Sequence, residues 1–325
     1  MLVVLVIVLG GVVLLSLAVG ARGIAPGAVL DAILSPVLSN NDHMVVRDLR
    51  VPRTVIGLLA GAALGLAGAI MQGVTRNPLA DPGLLGVNAG ASLAVVVGIS
   101  FFGATQPGGF VWFAFAGAAA ATAVVYAIGS SGRGGATPIK LALSGAALTA
   151  ALTSVITLIL VTDLDTLNLY RFWAVGSLVG RDLGTAAVVL PFLLVGAVLA
   201  LLSGPGLNLL ALGDDLARGL GQSVLRARIA SALAIVLLCG SATALAGPLV
   251  FVGLVVPHLA RRFSGSDYRW ILAYSLLLGP VLLIAADVLG RLIALPGEIE
   301  AGLVVAFLGA PVLIAFARRS TVTSL

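Results

Sequence analysis

The sequence predicts an all-α polytopic membrane protein with ten transmembrane helices, a single membrane domain over residues 1–325. Three observations carry that expectation. Only 10% of the residues are charged and 60% are hydrophobic, outside the composition of soluble globular domains. Charge-free runs recur along the chain, among them 1–21, 54–75 and 141–162. Each is long enough for a helix to cross a hydrocarbon core about 30 Å thick. The runs also lack the alternating pattern of transmembrane barrel strands.

The first span covers 2–21. Its "SLAVGA" has the look of a cleavage site, but the run has no basic n-region and exceeds the usual h-region of roughly 7–15 residues, so it reads as a retained span. The second span is 54–75. A charge-free stretch from 83 to 132 is too long for one crossing. It is broken by the turn-rich "GATQPGG" (103–109), which gives the third and fourth spans at 84–102 and 110–129. The fifth is 140–161, and the sixth, 185–203, ends at "SGPG" (203–206). Residues 229–260 hold a Gly247-Pro248 pair, preceded by Arg218, Arg226 and Arg228 and followed by Arg261, Arg262 and Arg269. If basic flanks mark the cytoplasmic side, the chain must leave and return within that stretch. Two short helices, 229–246 and 249–260, are therefore expected to meet at the pair, neither crossing fully. Spans at 270–287 and 299–317 complete the set. With both termini inside, the inner segments hold eleven basic residues against four acids and the outer segments seven against nine. That asymmetry predicts a multi-pass protein of the cytoplasmic membrane with both ends cytoplasmic.

The net charge of +5 and a pI near 10.1 do not indicate a nucleic-acid partner, because the basic residues stand singly between spans, as topology signals do. Cys239 lies in an apolar run and reads as a small buried side chain. Ion-coupled transporters need ionisable groups inside the bilayer. Here the nearest are Asp287, at the outer end of a span, and His258, near the inner end of another. There is no H-E-x-x-H, no G-x-S-x-G and no G-x-x-x-x-G-K-[ST]. The expectation is a chain with no catalytic residue, no metal site and no cofactor of its own, which moves a cargo at a partner's expense. Gly61, Gly65 and Gly68 in "GLLAGAALGLAGAIMQG" (57–73) suit close helix packing. The same smooth surface also suits a pathway that does not hold its cargo.

Four polar stretches interrupt the apolar pattern. In "TRNPLADPGLLG" (75–86), Pro78 and Pro82 disfavour helix at the residues before them. The stretch is either a collar lining a cavity or an ordinary inner loop with Arg76 as topology anchor. "LGDDLARGLGQSVLRAR" (212–228) reads as a short surface helix whose two acids suit its N-terminus. Arg50 and Arg53 sit where the second span begins. Asp287 and Arg291, four apart, can pair along a helix. Tyr170 and Trp173 in "LYRFWAVGSLVGRD" (169–182) fit an interfacial aromatic belt.

The segment "LRVPRTVIGLLAGAALGLAGAIMQGVTRNPLADPGLLGVNAGAS" (49–92) resembles the iron-siderophore and cobalamin permease family of binding-protein-dependent ABC importers. "FWAVGSL" (172–178), "GPLVFVGLVVPHLAR" (247–261) and "ADVLGRLIALPGEIEAGLVVAFLGAPVLI" (286–314) agree with it, and "LCGSATALAGP" (238–248) is most similar to the ferric-siderophore members. The resemblance implies a type II ABC importer permease fold of ten spans with inverted repeats. It implies that Asn77 and Leu79 form a cytoplasmic gate. Asp215, Ala217, Arg218, Gly219 and Gly221 are similar to the E-A-A-x-x-x-G loop that docks into an ATPase. Arg50, Arg53 and Arg291 would receive acids of an extracytoplasmic siderophore-binding protein, and Phe172, Trp173 and Gly176 would belong to a helix at the outer mouth. The implied partners are two ABC ATPases carrying ATP and magnesium, and a second permease, with a related heterodimer favoured over a homodimer. The implied cargo is a ferric siderophore. Haem or cobalamin are alternative cargoes, and an ion-coupled secondary transporter is the rival class.

Overall fold

The computed structural model describes residues 1–320 apart from 21–22, 38, 105–106 and 132–137. Arg22, Arg133 and part of the 103–109 turn lie outside the described residues, as do the side chains of Arg318 and Arg319. Every regular element among the described residues is helical. In order they are α1 (Leu2–Ala18), α2 (Pro26–Leu34), α3 (Asn41–Met44), α4 (Val51–Thr75), α5 (Val87–Phe102), α6 (Pro107–Ser130), α7 (Pro138–Thr162) and α8 (Leu164–Ala174). There follow α9 (Leu183–Leu202), α10 (Gly204–Ala211), α11 (Asp214–Gly219), α12 (Val224–Ala246), α13 (Val252–Ser264), α14 (Tyr268–Ile293) and α15 (Ala301–Ser320). A wide helical turn, Val45–Arg50, joins α3 to α4, and a tight one, Pro82–Leu85, precedes α5.

Among the described residues six helices are long and apolar enough to cross a membrane: Asn41–Thr75, Gly109–Ser130, Ile139–Thr162, Leu183–Leu202, Val224–Ala246 and Tyr268–Ile293. Leu2–Ala18, Val87–Phe102 and Ala301–Ile314 are shorter apolar helices. One expectation needs correcting. Residues 229–260 fold as two helices broken at the Gly247-Pro248 pair, but the first is not short, because α12 begins at Val224 and its 23 residues are long enough to cross. Arg226 and Arg228 fall inside its first turns, where long basic side chains carry their charge out of an apolar layer while the stem stays in it. Only α13, with 13 residues, is short. The break between the two helices holds Gly247 at φ +77° and Phe251 at φ +67°.

Local chemistry explains several helix starts. "DLDT" (163–166) and "DLGT" (182–185) each place a threonine three residues after an aspartate. Asp182 accepts hydrogen bonds from the Thr185 backbone N–H at 2.8 Å and its hydroxyl at 2.7 Å, capping α9, and Asp163 caps α8 through Thr166 in the same way. Those side-chain and backbone bonds hold both carboxyls below the usual aspartate range. A cap of this kind satisfies backbone N–H groups that the first helical turn leaves without a partner.

The core forms around α4, which packs against α14, α12, α13 and α9. Lipid tails are as apolar as leucine, so helices in a membrane associate through close packing rather than through a hydrophobic drive. The glycines of α4 serve that packing. A Cβ at Gly61 would lie 2.7 Å from the Gly279 carbonyl and the Pro280 Cα, and one at Gly65 would lie 2.5 Å from the Ser275 carbonyl oxygen. At Gly68 it would land on the Gly253 carbonyl of α13. Of the two uses that the sequence allowed for this smooth stripe, intrachain packing is the one seen; the three glycines are buried.

Candidate functional site

Polar side chains gather at both ends of this apolar packing, joined by α4, whose 25 residues span about 37 Å at 1.5 Å per residue. At one end α4 stops at Thr75 because Arg76 takes the left-handed conformation, φ +51°. The Asn77 N–H then donates back to the Gln72 carbonyl, and the Asn77 side-chain oxygen accepts the Leu79 N–H at 2.9 Å. Asn77 is exposed and Leu79 half-buried, so the residues predicted to gate stand on a short collar that Asn77 itself shapes. The collar rests on the start of α13: a Cβ at Gly253 would meet Pro82 at 2.8 Å.

Gln72 was not singled out in the sequence, and it is central here. It is almost fully buried and donates to the Leu254 carbonyl at 3.2 Å, while its side-chain oxygen accepts from Arg261. Arg261 also donates to the Tyr268 hydroxyl at 3.1 Å and lies over that ring. Three helices, α4, α13 and α14, are thereby tied beneath the collar. The available signal was one amide in an otherwise apolar run, which must find partners once buried.

The predicted docking loop, 212–228, folds as the short α11 followed by a turn and the first residues of α12. Within it the candidates separate. Asp215 is fully exposed and accepts from Arg218 at 3.0 Å; nothing lies within 4 Å of a Cβ built on Gly219. Ala217, in contrast, is completely buried against the rest of the chain, so it seats α11 instead of meeting a partner. Gly221 has φ +84°, the left-handed turn that ends the loop, a conformational need rather than a clearance need. Leu212, Leu216 and Leu220, four apart, are exposed along this segment. Arg76, Asp214, Asp215, Arg218 and Arg228 line an open pocket of about 840 Å³ beside it.

The other end corrects the reading of the arginines. Arg50, Arg53 and Arg291 are all buried, and Asp287 lies between Arg53 and Arg291. Arg53 grips Asp287 in bidentate fashion at 2.8 and 2.9 Å and reaches Glu298 at 2.6 Å. Arg291 pairs with Asp287 one helical turn away and donates to the backbone carbonyls of Ser16 and Val19 at 2.8 and 2.9 Å. Arg50 donates to the Leu17 carbonyl at 2.7 Å. Ser16 and Thr54 share a further bond at 2.8 Å. These arginines hold α1, α4 and α14 together; they do not project outward for a partner's acids. The reason is the desolvation cost: a guanidinium among apolar helices is stable only with its donors filled. A cavity of about 410 Å³ adjoins them, lined also by Asp48 and Arg181.

The outer-mouth residues divide likewise. Phe172 is exposed, with the Arg171 guanidinium 4.8 Å from its ring centroid. Trp173 is not part of an interfacial belt: it is buried, 5.9 Å from the Tyr170 ring, and its indole N–H finds no acceptor among the described residues. Gly176, at φ +75°, sits where a Cβ would be 2.7 Å from the Pro248 carbonyl oxygen, and its own carbonyl accepts the Gly302 N–H at 2.9 Å. Ser177 N–H donates to Ala246 at 2.8 Å. Residues 173–177 are thus clamped between the break after α12 and the start of α15, with Gly176 as a packing point.

The family model described as the FecCD transport family matches residues 5–319. The chain is 49% identical over 307 residues to the ferric enterobactin transport system permease protein FepD of Escherichia coli strain K12, covering 94% of this chain and 91% of that one. It is 44% identical over 280 residues to the probable siderophore transport system permease protein YfiZ of Bacillus subtilis strain 168, covering 86% and 84%. Its fold is like that of a solved inward-facing metal-chelate type ABC transporter, with a TM-score of 0.83 at 24% identity over 98% of each chain.

Proposed function

Because the chain belongs to the FecCD transport family, we propose that it is the permease subunit of a binding-protein-dependent ABC importer that carries ferric siderophores across the cytoplasmic membrane. The observation that carries this reading is the 49% identity, along nearly the whole chain, to a ferric enterobactin permease. Siderophore cargo is favoured over haem or cobalamin on that ground. The geometry is compatible with it. The exposed Leu212, Leu216 and Leu220 with Asp215 and Arg218 form a small amphipathic surface suited to a cleft on an ATPase. The chain itself is not an enzyme; ATP and magnesium are handled by two ATPase subunits.

In this proposal ten segments cross or enter the bilayer with both termini cytoplasmic and with the inverted repeats of type II importers. The collar at Asn77 and Leu79 closes the pathway on the cytoplasmic side. A second, related permease completes the cavity, and a siderophore-binding protein delivers cargo to the outer face. The rival, an ion-coupled transporter, requires a carboxylate able to exchange its ion. Asp287 is ill suited to that task, being paired with two arginines at once.

The test is reconstitution with ATPase, partner permease and binding protein in proteoliposomes, followed by uptake of iron-55 as ferric enterobactin. Accumulation that requires ATP supports the proposal; uptake that follows an imposed ion gradient without ATP overturns it. Gly219→Trp refines the test. With open space around Gly219, this variant is expected to fold with stability within about 0.5 kcal/mol of wild type yet to lose co-purification of the ATPase. Retained association would remove α11 from the docking surface.

A further inference from the structure

Two aspartates stand side by side at the start of α11, and they face opposite ways. Asp215 points to solvent, while Asp214 turns inward and is only a quarter exposed. Its carboxylate accepts from Arg228 of α12 at 2.9 and 3.1 Å and pairs with Arg76 at 3.4 Å. Arg76 is the residue that ends α4 in the left-handed conformation, and it directly precedes Asn77.

We propose that Asp214 is a positioning residue that links the docking helix α11 to the collar at Asn77 and Leu79, so that movement of α11 reaches the collar through the Arg76–Asp214 ion pair. The inference rests on the importer reading above and adds the residue by which force crosses between two loops more than 130 residues apart in sequence. The geometry supports it from both sides. On the α11 side, Asp214 opens a helix of six residues, and the neighbouring Ala217 is buried, so the helix and its first carboxylate move as one body. On the collar side, Arg76 is held through its backbone: its N–H donates to Gly73, and the next N–H donates to Gln72. Gln72 is itself pinned to α13 and Arg261. The backbone that bears the Arg76 guanidinium is held in this way, so a pull on the ion pair acts on the main chain of the collar. Arg228 anchors the same carboxylate to α12, so a shift of α11 is divided between that long helix and the collar. The carboxylate accepts two charge-assisted hydrogen bonds from Arg228 and forms a longer ion pair with Arg76 at 3.4 Å. Arg76 is more exposed than Arg228, by 38% to 14% of their side chains, so of the two contacts the one to α12 is the more sheltered.

The test measures transport per ATP in the fully reconstituted importer, for wild type, Asp214→Asn, Arg76→Gln and the double variant. All three variants are expected to keep the ATPase bound and hydrolysing, while iron-55 accumulated per ATP falls roughly tenfold, within the range seen for residues that couple two sites. If the ion pair is the link, the double variant loses no more than either single one. Unchanged transport per ATP in Arg76→Gln overturns the proposal, and so do losses that multiply in the double variant. Arg76→Gln guards against misfolding of the Asp214 variant, because its side chain lies largely outside the packed core. A wild type that never couples to ATP sinks the importer reading itself; a coupled wild type with indifferent variants sinks only the link.

Discussion

Gly61→Leu is expected to leave no recoverable folded protein. The position faces main chain on the neighbouring helix: a Cβ there meets the Gly279 carbonyl and Pro280 Cα at 2.7 Å, and Gly279 is crowded reciprocally by Gly61. A side chain can rotate away from an intruder, but backbone inside two packed helices cannot. The cost therefore exceeds the roughly 1–3 kcal/mol of ordinary overpacking. Because α4 and α14 form the central helix pair of the core, their separation also loosens the seats of α12 and α13. Size-exclusion of detergent extracts is the measurement, with Gly10→Leu as control, since nothing lies within 4 Å of Gly10. A monodisperse Gly61→Leu protein with near-native melting would show that the helices are not in the observed contact.

Asp287→Ala is expected to destabilise the protein by about 3–5 kcal/mol, because it strands buried cations instead of removing a neutral contact. Arg53 and Arg291 both spend donors on this carboxylate, and both are buried. Loss of the acid leaves two like charges close together with one remaining acid, Glu298, on Arg53 alone. The discriminating variant replaces all three, Arg53→Leu with Asp287→Leu and Arg291→Met. Apolar groups of similar volume can match or exceed a buried ion network, so the triple variant is expected to recover most of the loss. Thermal unfolding in nanodiscs reads both effects. A melting temperature within ~2 °C of wild type for Asp287→Ala would mean that the cluster is solvated and worth no more than a surface pair.

The helices and their principal break were legible because lipid is a strict solvent. A backbone without water must satisfy itself, so apolar runs become helices, and the prolines of 75–86 and the Gly247-Pro248 pair interrupt them. The charge-rich 212–228 stretch was legible as holding a short surface helix for a different reason, the two acids that suit a helix N-terminus. Helix boundaries were less so. The arginines at 226 and 228 looked like the end of a loop, yet they lie inside α12. A long side chain can carry its charge to a boundary that its own Cα has already passed.

The candidate site was readable as a set of segments, not as a set of directions. Asp214 and Asp215 are chemically identical neighbours, and only packing turns one inward. Ala217 and Gly219 both belong to the segment similar to an ATPase-docking loop, but one is buried and the other open. Arg53 could not be matched to Asp287 across a separation of 234 residues, so it read as an outward-facing cation. The amino-acid order alone determined what each segment can be, because the solvent acts on every residue locally. Which side chains meet was decided by the tertiary structure, since the partner of a buried charge is whichever group the helix packing brings within about 3 Å, however distant in the chain.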